Sequence, residues 1–109
     1  MDLNEYQELA LHTANKGKEG SPPIQLNWVL GLIGEAGEIV EMVKKCHYHG
    51  HLLDRERMKD ELSDLGWYWA VLANSFGLDL EQIALHNVEK LRGRYPEGFS
   101  EERSRNRDG

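Results

Sequence analysis

The sequence predicts an all-α fold built as a four-helix bundle. Three observations carry that expectation. Apolar residues recur at helical spacing in four successive segments, strand-like alternation is nearly absent, and capping signatures open two of the segments. A length of 109 residues leaves room for about four helices around one modest core.

The first helix is expected from Leu3 to about Lys16. Asp2 and Glu5 have the spacing of a capping box, and Leu3, Tyr6, Ala10 and Thr13–Ala14 form its stripe. Gly17, Gly20, Ser21, Pro22 and Pro23 predict a loop, since these residues break helical hydrogen bonding or favour turns. The second helix is expected from about Ile24 to His47. Trp28, Leu32, Ile39 and Val43 line one side, and Val29, Ile33, Ala36 and Val40 widen it, so the helix should be buried on more than one side. Gly31, Gly34 and Gly37 each weaken it by up to about 1 kcal/mol relative to alanine. Close helix packing explains them, and so does access for a ligand.

His47 to Leu53 predicts a second loop. The third helix should run from Asp54 or Arg55 to Phe76 and stop at Gly77, with Met58, Leu62, Leu65, Trp69, Leu72 and Phe76 as its stripe. Asp79 with Gln82 predicts a capping box for the fourth helix, which carries Leu80, Ile83, Ala84, Val88 and Leu91 and ends near Gly93. Tyr95 to Phe99 reads as a turn, and Ser100 to Gly109 as a polar tail without helix.

Nineteen acidic against thirteen basic side chains give a net charge of −6, which disfavours a nonspecific nucleic-acid or anionic-membrane binder. No apolar run approaches the length of a membrane span, and Met1 to Glu5 does not resemble a signal peptide. A single cysteine, Cys46, cannot form an internal disulfide, so a reducing, cytoplasmic setting is expected. A core this small also makes oligomerisation a natural way to bury more surface.

Two carboxylate pairs stand out. Glu35 and Glu38 on the second helix, and Glu61 and Asp64 on the third, are each three residues apart, about 60° around the axis and one turn along it. Glu35 projects inside the apolar arc and Glu38 at its edge. Glu61 shares a side with Leu65, Tyr68 and Leu72, and Asp64 borders that stripe. At least three of the four acids should therefore turn inward. Crowded, half-dry carboxylates need protonation, a basic partner or a cation, and oxygen donors suit Mg²⁺ or Mn²⁺. On the fourth helix Asn87, Lys90 and Arg94 align with Leu80 and Ile83. There they suit phosphate oxygens, or a solvated C-terminal turn that favours cations. Cys46, His47, His49 and His51 invite a transition metal, but their spacing matches no established zinc pattern, and they equally suit the rim of a subunit interface or a nucleotide entrance. A ferritin-like di-iron bundle needs Glu-x-x-His pairs, and the chain has none.

The ordered motifs Gly31-Leu32-Ile33-Gly34-Glu35-Ala36-Gly37-Glu38, Lys44-Lys45, Asp60-Glu61-Leu62-Ser63-Asp64-Leu65 and Asn87-Val88-Glu89-Lys90-Leu91-Arg92-Gly93-Arg94-Tyr95-Pro96 resemble the MazG-like all-α nucleoside triphosphate pyrophosphohydrolases. The resemblance covers about Leu3 to Phe99. It implies a MazG-like four-helix domain over residues 1–99, assembled as a homodimer or a dimer of dimers, with 100–109 as the polar tail. It implies Mg²⁺, with Mn²⁺ as an alternative, on Glu35, Glu38, Glu61 and Asp64. Asn87, Lys90 and Arg94 would contact a nucleoside triphosphate, which would be split between its α- and β-phosphates in nucleotide-pool housecleaning. Lys90 would also stabilise the leaving pyrophosphate. Tyr68 matches a position where relatives place an aromatic near the base, and Trp28 is a looser match; both also suit plain core packing. Many relatives carry a further Glu where this chain has Gly34, which leaves Glu38, or a cation that acidifies coordinated water, to activate the nucleophile. A phosphoribosyl-ATP pyrophosphohydrolase and a non-catalytic helical interaction module are the competing expectations.

Overall fold

The structure, a computed structural model, describes residues 1–16, 24–52 and 54–106. It contains α1 (Leu3–Leu11), α2 (Ile24–Tyr48), α3 (Arg55–Ser75), α4 (Leu80–Arg94) and the short α5 (Glu101–Arg105). Among the described residues there is no strand, only an isolated bridge between Pro96 and Gly98. The glycine- and proline-rich loop expected at 17–23, and Leu53 at the end of the second loop, lie outside the described residues. No helix among the described residues is long and apolar enough to cross a membrane.

The helix ends follow local chemistry. Asp2 caps α1 by accepting from the Glu5 N–H at 2.8 Å, and Asp54 caps α3 by accepting from Glu56 and Arg57. The expected capping box at α4 is present, with Gln82 N–H on Asp79 and Asp79 N–H on the Gln82 side chain. At the end of α2, Gly50 takes φ +68°, and both His49 and His51 donate their N–H to the Lys45 carbonyl. Gly77, at φ +71°, turns the chain between α3 and α4.

Two boundaries differ from expectation. α1 stops at Leu11 instead of continuing to Lys16. The Ala10 carbonyl accepts from the Thr13 hydroxyl at 2.9 Å and from the Trp67 indole at 3.2 Å, and the chain tightens into three-residue turns through Thr13 and Ala14. The expected structureless tail contains α5, capped by the Ser100 hydroxyl on the Arg103 N–H, with residues 107–109 outside the described part.

α3 is the central element. Both α2 and α1 pack on it, and α4 packs on α1 and sends Leu80 into the core. The core gathers Ala10, Ala70, Ala73 and Leu80, with Tyr6, Trp67, Trp69 and Ile83 packed around it. The stripe expected on α3 is therefore corrected. Leu62 and Phe76 are exposed, while Ala70, Val71 and Ala73 are buried, because a helix packed by two others uses small residues where its neighbours come close.

Gln7 was not among the expected core residues, yet it is only 5% exposed. Its amide donates to the carbonyls of Ala70 at 3.0 Å and Leu78 at 3.1 Å, and its carbonyl accepts from the Leu80 N–H at 3.2 Å. One side chain thus ties α1 to α3, to the α3–α4 turn, and to the otherwise unpaired first amide of α4.

The expected burial of α2 on more than one side is not met within one chain. Trp28 and Met42 are buried, but Ile33 and Val40 are each 63% exposed, alongside Leu26 and Leu30. Leu85, Val88 and Leu91 on α4 are also exposed. The radius of gyration, 17.4 Å, exceeds the roughly 13 Å of a compact domain of this length.

Replacing Gln7 by leucine removes all three bonds and strands the Leu80 amide. It is expected to cost about 2–3 kcal/mol, read as a lower denaturant midpoint in urea unfolding.

Candidate metal centre

Trp28 on α2 meets Trp67 and Tyr68 on α3, Gly31 faces Tyr68, and Glu35 meets Glu61 and Asp64. Later residues of α2 thus face earlier residues of α3, so the two helices run antiparallel. That register carries one carboxylate pair onto the other. Glu35, Glu61 and Asp64 each place a carboxylate oxygen within 4.8 Å of the others, Glu35 and Glu61 half-buried and Asp64 exposed.

Glu38 is not part of this tight group and is exposed, although its charge still acts on Glu35. The expectation that at least three acids turn inward is therefore corrected to two. Among the described residues no element covers the edge of the α2 arc where Glu38 lies.

Burial pushes the Glu35 carboxyl above the usual glutamate value of 4.5. A hydrogen bond with Glu61 and the negative charges of Asp64, Glu61 and Glu38 add to the shift. Oxygen donors only, crowded by like charge and partly shielded from water, fit a hard divalent cation. The Asp64 charge also reaches Tyr6 on α1, whose phenol is pushed up first by burial and then by that carboxylate.

An aromatic cluster adjoins the acids. Trp67 stands edge-on to Tyr68 at 5.0 Å and to Trp28 at 5.5 Å, and Trp28 and Tyr68 lie 6.4 Å apart. Trp28 is buried inside this cluster, while Tyr68 is half-buried. The glycines of α2 divide between the two explanations. A Cβ at Gly31 would overlap the Tyr68 ring, so Gly31 serves close packing. At Gly34 and Gly37 a Cβ would meet nothing within 4 Å. Gly34 and Gly37 therefore face open space.

The remaining site residues of the sequence reading lie elsewhere. Asn87 and Lys90 are exposed on α4, which packs on α1, and Lys90 makes no ion pair among the described residues. Arg94 is half-buried, and its carbonyl accepts from Arg103. His49 and His51 have ring centroids 6.5 Å apart, but among the described residues the only group of three or more metal-binding side chains is the acidic one. Sequence reading did not anticipate the part of Tyr6 in this region or the Gly31–Tyr68 contact. The signal for the contact was present: Gly31 and Tyr68 each stand four residues from an acid of the cluster, on the outer side of both helices' motifs.

A raised carboxyl value means the folded chain holds this proton more tightly than the unfolded chain does. The contribution to stability is full below the ordinary glutamate value and is lost as pH rises through and above it. The Tm of metal-free Glu35→Gln is therefore expected to exceed that of the wild type by a margin that grows from about pH 4 to about pH 7, read by thermal unfolding. A margin independent of pH would refute the account.

Comparison with known proteins bears on the family of the chain. The chain is 38% identical over 73 residues to the Gene 37 protein of Mycobacterium phage L5, a match covering 63% of this chain and 64% of that protein. No solved structure matches significantly. The MazG nucleotide pyrophosphohydrolase domain matches residues 25–99, a span that takes in both acid-bearing helices and α4. Because that span is well over half of the sequence, the chain belongs to the MazG nucleotide pyrophosphohydrolase domain family.

Proposed function

We propose that this protein is a divalent-cation-dependent nucleoside triphosphate pyrophosphohydrolase that splits the bond between the α- and β-phosphates. Water adds to the α-phosphorus, the bridging P–O bond breaks, and a nucleoside monophosphate and pyrophosphate leave. The observation that carries the reading is the convergence of Glu35, Glu61 and Asp64 from two helices onto one point. The family supports the substrate class, and nucleotide-pool housecleaning is the role that follows from such chemistry.

Glu35, Glu61 and Asp64 hold the cation, with Glu38 one turn along α2 as the fourth acid. Mg²⁺, or Mn²⁺ in its place, supplies neutralisation of phosphate charge and polarisation of water when bound. Glu38, exposed and outside the tight group, is free to take the proton of the attacking water. Lys90 and Arg94 counter charge on the departing pyrophosphate, and Asn87 hydrogen-bonds phosphate oxygens. The half-buried Tyr68 offers its ring to the base, with Trp28 packed behind it as support.

Assembly as a homodimer or a dimer of dimers is part of the proposal. The uncovered apolar residues of α2 and α4, and the extended shape of one chain, support it. A second copy also offers a route by which α4 cations meet the acids, since α4 packs on α1 within its own chain.

The test is pyrophosphate release with Mg²⁺ across ribo- and deoxynucleotides, with phosphoribosyl-ATP alongside. Turnover is expected on nucleoside triphosphates, and Glu38→Gln with Asp64→Asn should lower it by at least about 10²-fold. Lys90→Ala should lower kcat/KM by about 10²-fold. A double acid variant as active as the wild type, or no turnover on any nucleotide, would defeat the assignment.

A further inference from the structure

Gly31 marks a place where α2 and α3 come into close contact. A Cβ there would overlap Cε1, Cζ and Cδ1 of Tyr68, whereas at Gly66, between Asp64 and Tyr68 on α3, a Cβ would meet nothing within 4 Å. The Tyr68 ring is hemmed in by Trp67 at 5.0 Å and Trp28 at 6.4 Å. Trp67 is in turn held by α1 and the residues after it, its indole N–H donating to the Thr13 hydroxyl at 2.8 Å and the Ala10 carbonyl at 3.2 Å. Trp28 is buried. The ring therefore rests against a braced wall, not a loose side chain.

The acids stand one turn from this contact on both helices. Glu35 follows Gly31 by four residues and Asp64 precedes Tyr68 by four, about 6 Å along each axis. Over so short a length a helix is stiff, so a change of separation at Gly31 reaches the carboxylates almost undiminished. Apart from the hydrogen bond between Glu35 and Glu61, like charge pushes the acids apart, so packing elsewhere has to hold the two helices at this separation.

We propose that the Gly31–Tyr68 contact, braced by Trp28, Trp67 and Thr13, is the spacer that sets the distance between the α2 and α3 carboxylates. Gly31 and Tyr68 are then positioning residues for the cation, a role separate from any contact of Tyr68 with a base. The inference rests on the reading that Glu35, Glu61 and Asp64 hold a divalent cation.

The experiment is a Mn²⁺ titration of the full chain without nucleotide, reading the free ion by electron paramagnetic resonance. The wild type, Glu61→Gln, Gly66→Ala, Gly31→Ala and Gly31→Ala with Tyr68→Leu are compared. A wild type that binds no Mn²⁺, or binding unaffected by Glu61→Gln, overturns the cation reading and the spacer with it. Where the wild type binds and Glu61→Gln does not, Gly31→Ala is expected to weaken binding about ten- to a hundredfold. Gly66→Ala should stay within about twofold of the wild type, as expected of a change that touches nothing. Exchanging the ring for the shorter leucine makes room for the added methyl while keeping a packed contact, and should restore most of the affinity lost in Gly31→Ala. Wild-type affinity in Gly31→Ala, or a folded double variant without recovery, overturns the spacer alone. If Gly31→Ala fails to fold, the double variant decides: folding with Mn²⁺ binding supports the spacer, and failure of either overturns it.

Discussion

Carboxylates on separate helices do not gather unaided. Their mutual repulsion pushes the helices apart, and the loss of hydration on partial burial adds to that push. In this protein Glu35, Glu61 and Asp64 are nonetheless brought within 4.8 Å of one another, and Glu35 answers by holding its proton more tightly than an exposed glutamate does. The opposing force comes from the antiparallel packing of α2 on α3, where Trp28, Trp67 and Tyr68 interlock one to two turns from the acids. The apolar grip and the charge cluster are neighbours along the same two rods, so the stability gained in one is available to hold the strain in the other.

That grip is also anchored by α1. Gln7 joins α1, α3, the α3–α4 turn and the start of α4 through three hydrogen bonds, and Trp67 bonds to Ala10 and Thr13. These bonds satisfy polar groups that would otherwise be costly to bury, so each also selects one register of the helices. α3 is therefore held by α1 as well as α2, which suits a helix that contributes two of the three gathered acids. The open apolar faces of α2 and α4 lie away from this framework and leave a single chain with more uncovered apolar surface than a closed bundle would show.

Much of this was legible in the residues. The capping box at Asp79 and Gln82, the stop at Gly77, the long second helix and the two acid pairs all rest on interactions within a turn or two of chain. Gln7 has the spacing of a core position, four residues after Leu3 and three before Ala10, but period alone does not mark a polar side chain for burial. The α3 stripe was misassigned for a related reason. Period alone favours large apolar residues such as Leu62 and Phe76, whereas a helix pressed by two neighbours buries Ala70 and Ala73.

Local sequence is thus enough to specify the helices, their ends and the spacing of acids along each one, since those follow from hydrogen bonding and steric preference over a few residues. Which acids meet was settled by the register between α2 and α3, in which a tyrosine ring lies against a bare glycine and Glu35 comes level with Glu61 and Asp64. The same holds for Glu38, which is exposed where no other described residue covers the edge of α2. Side-chain periodicity reports which way a residue faces on its own helix. It carries no information about what, if anything, stands opposite.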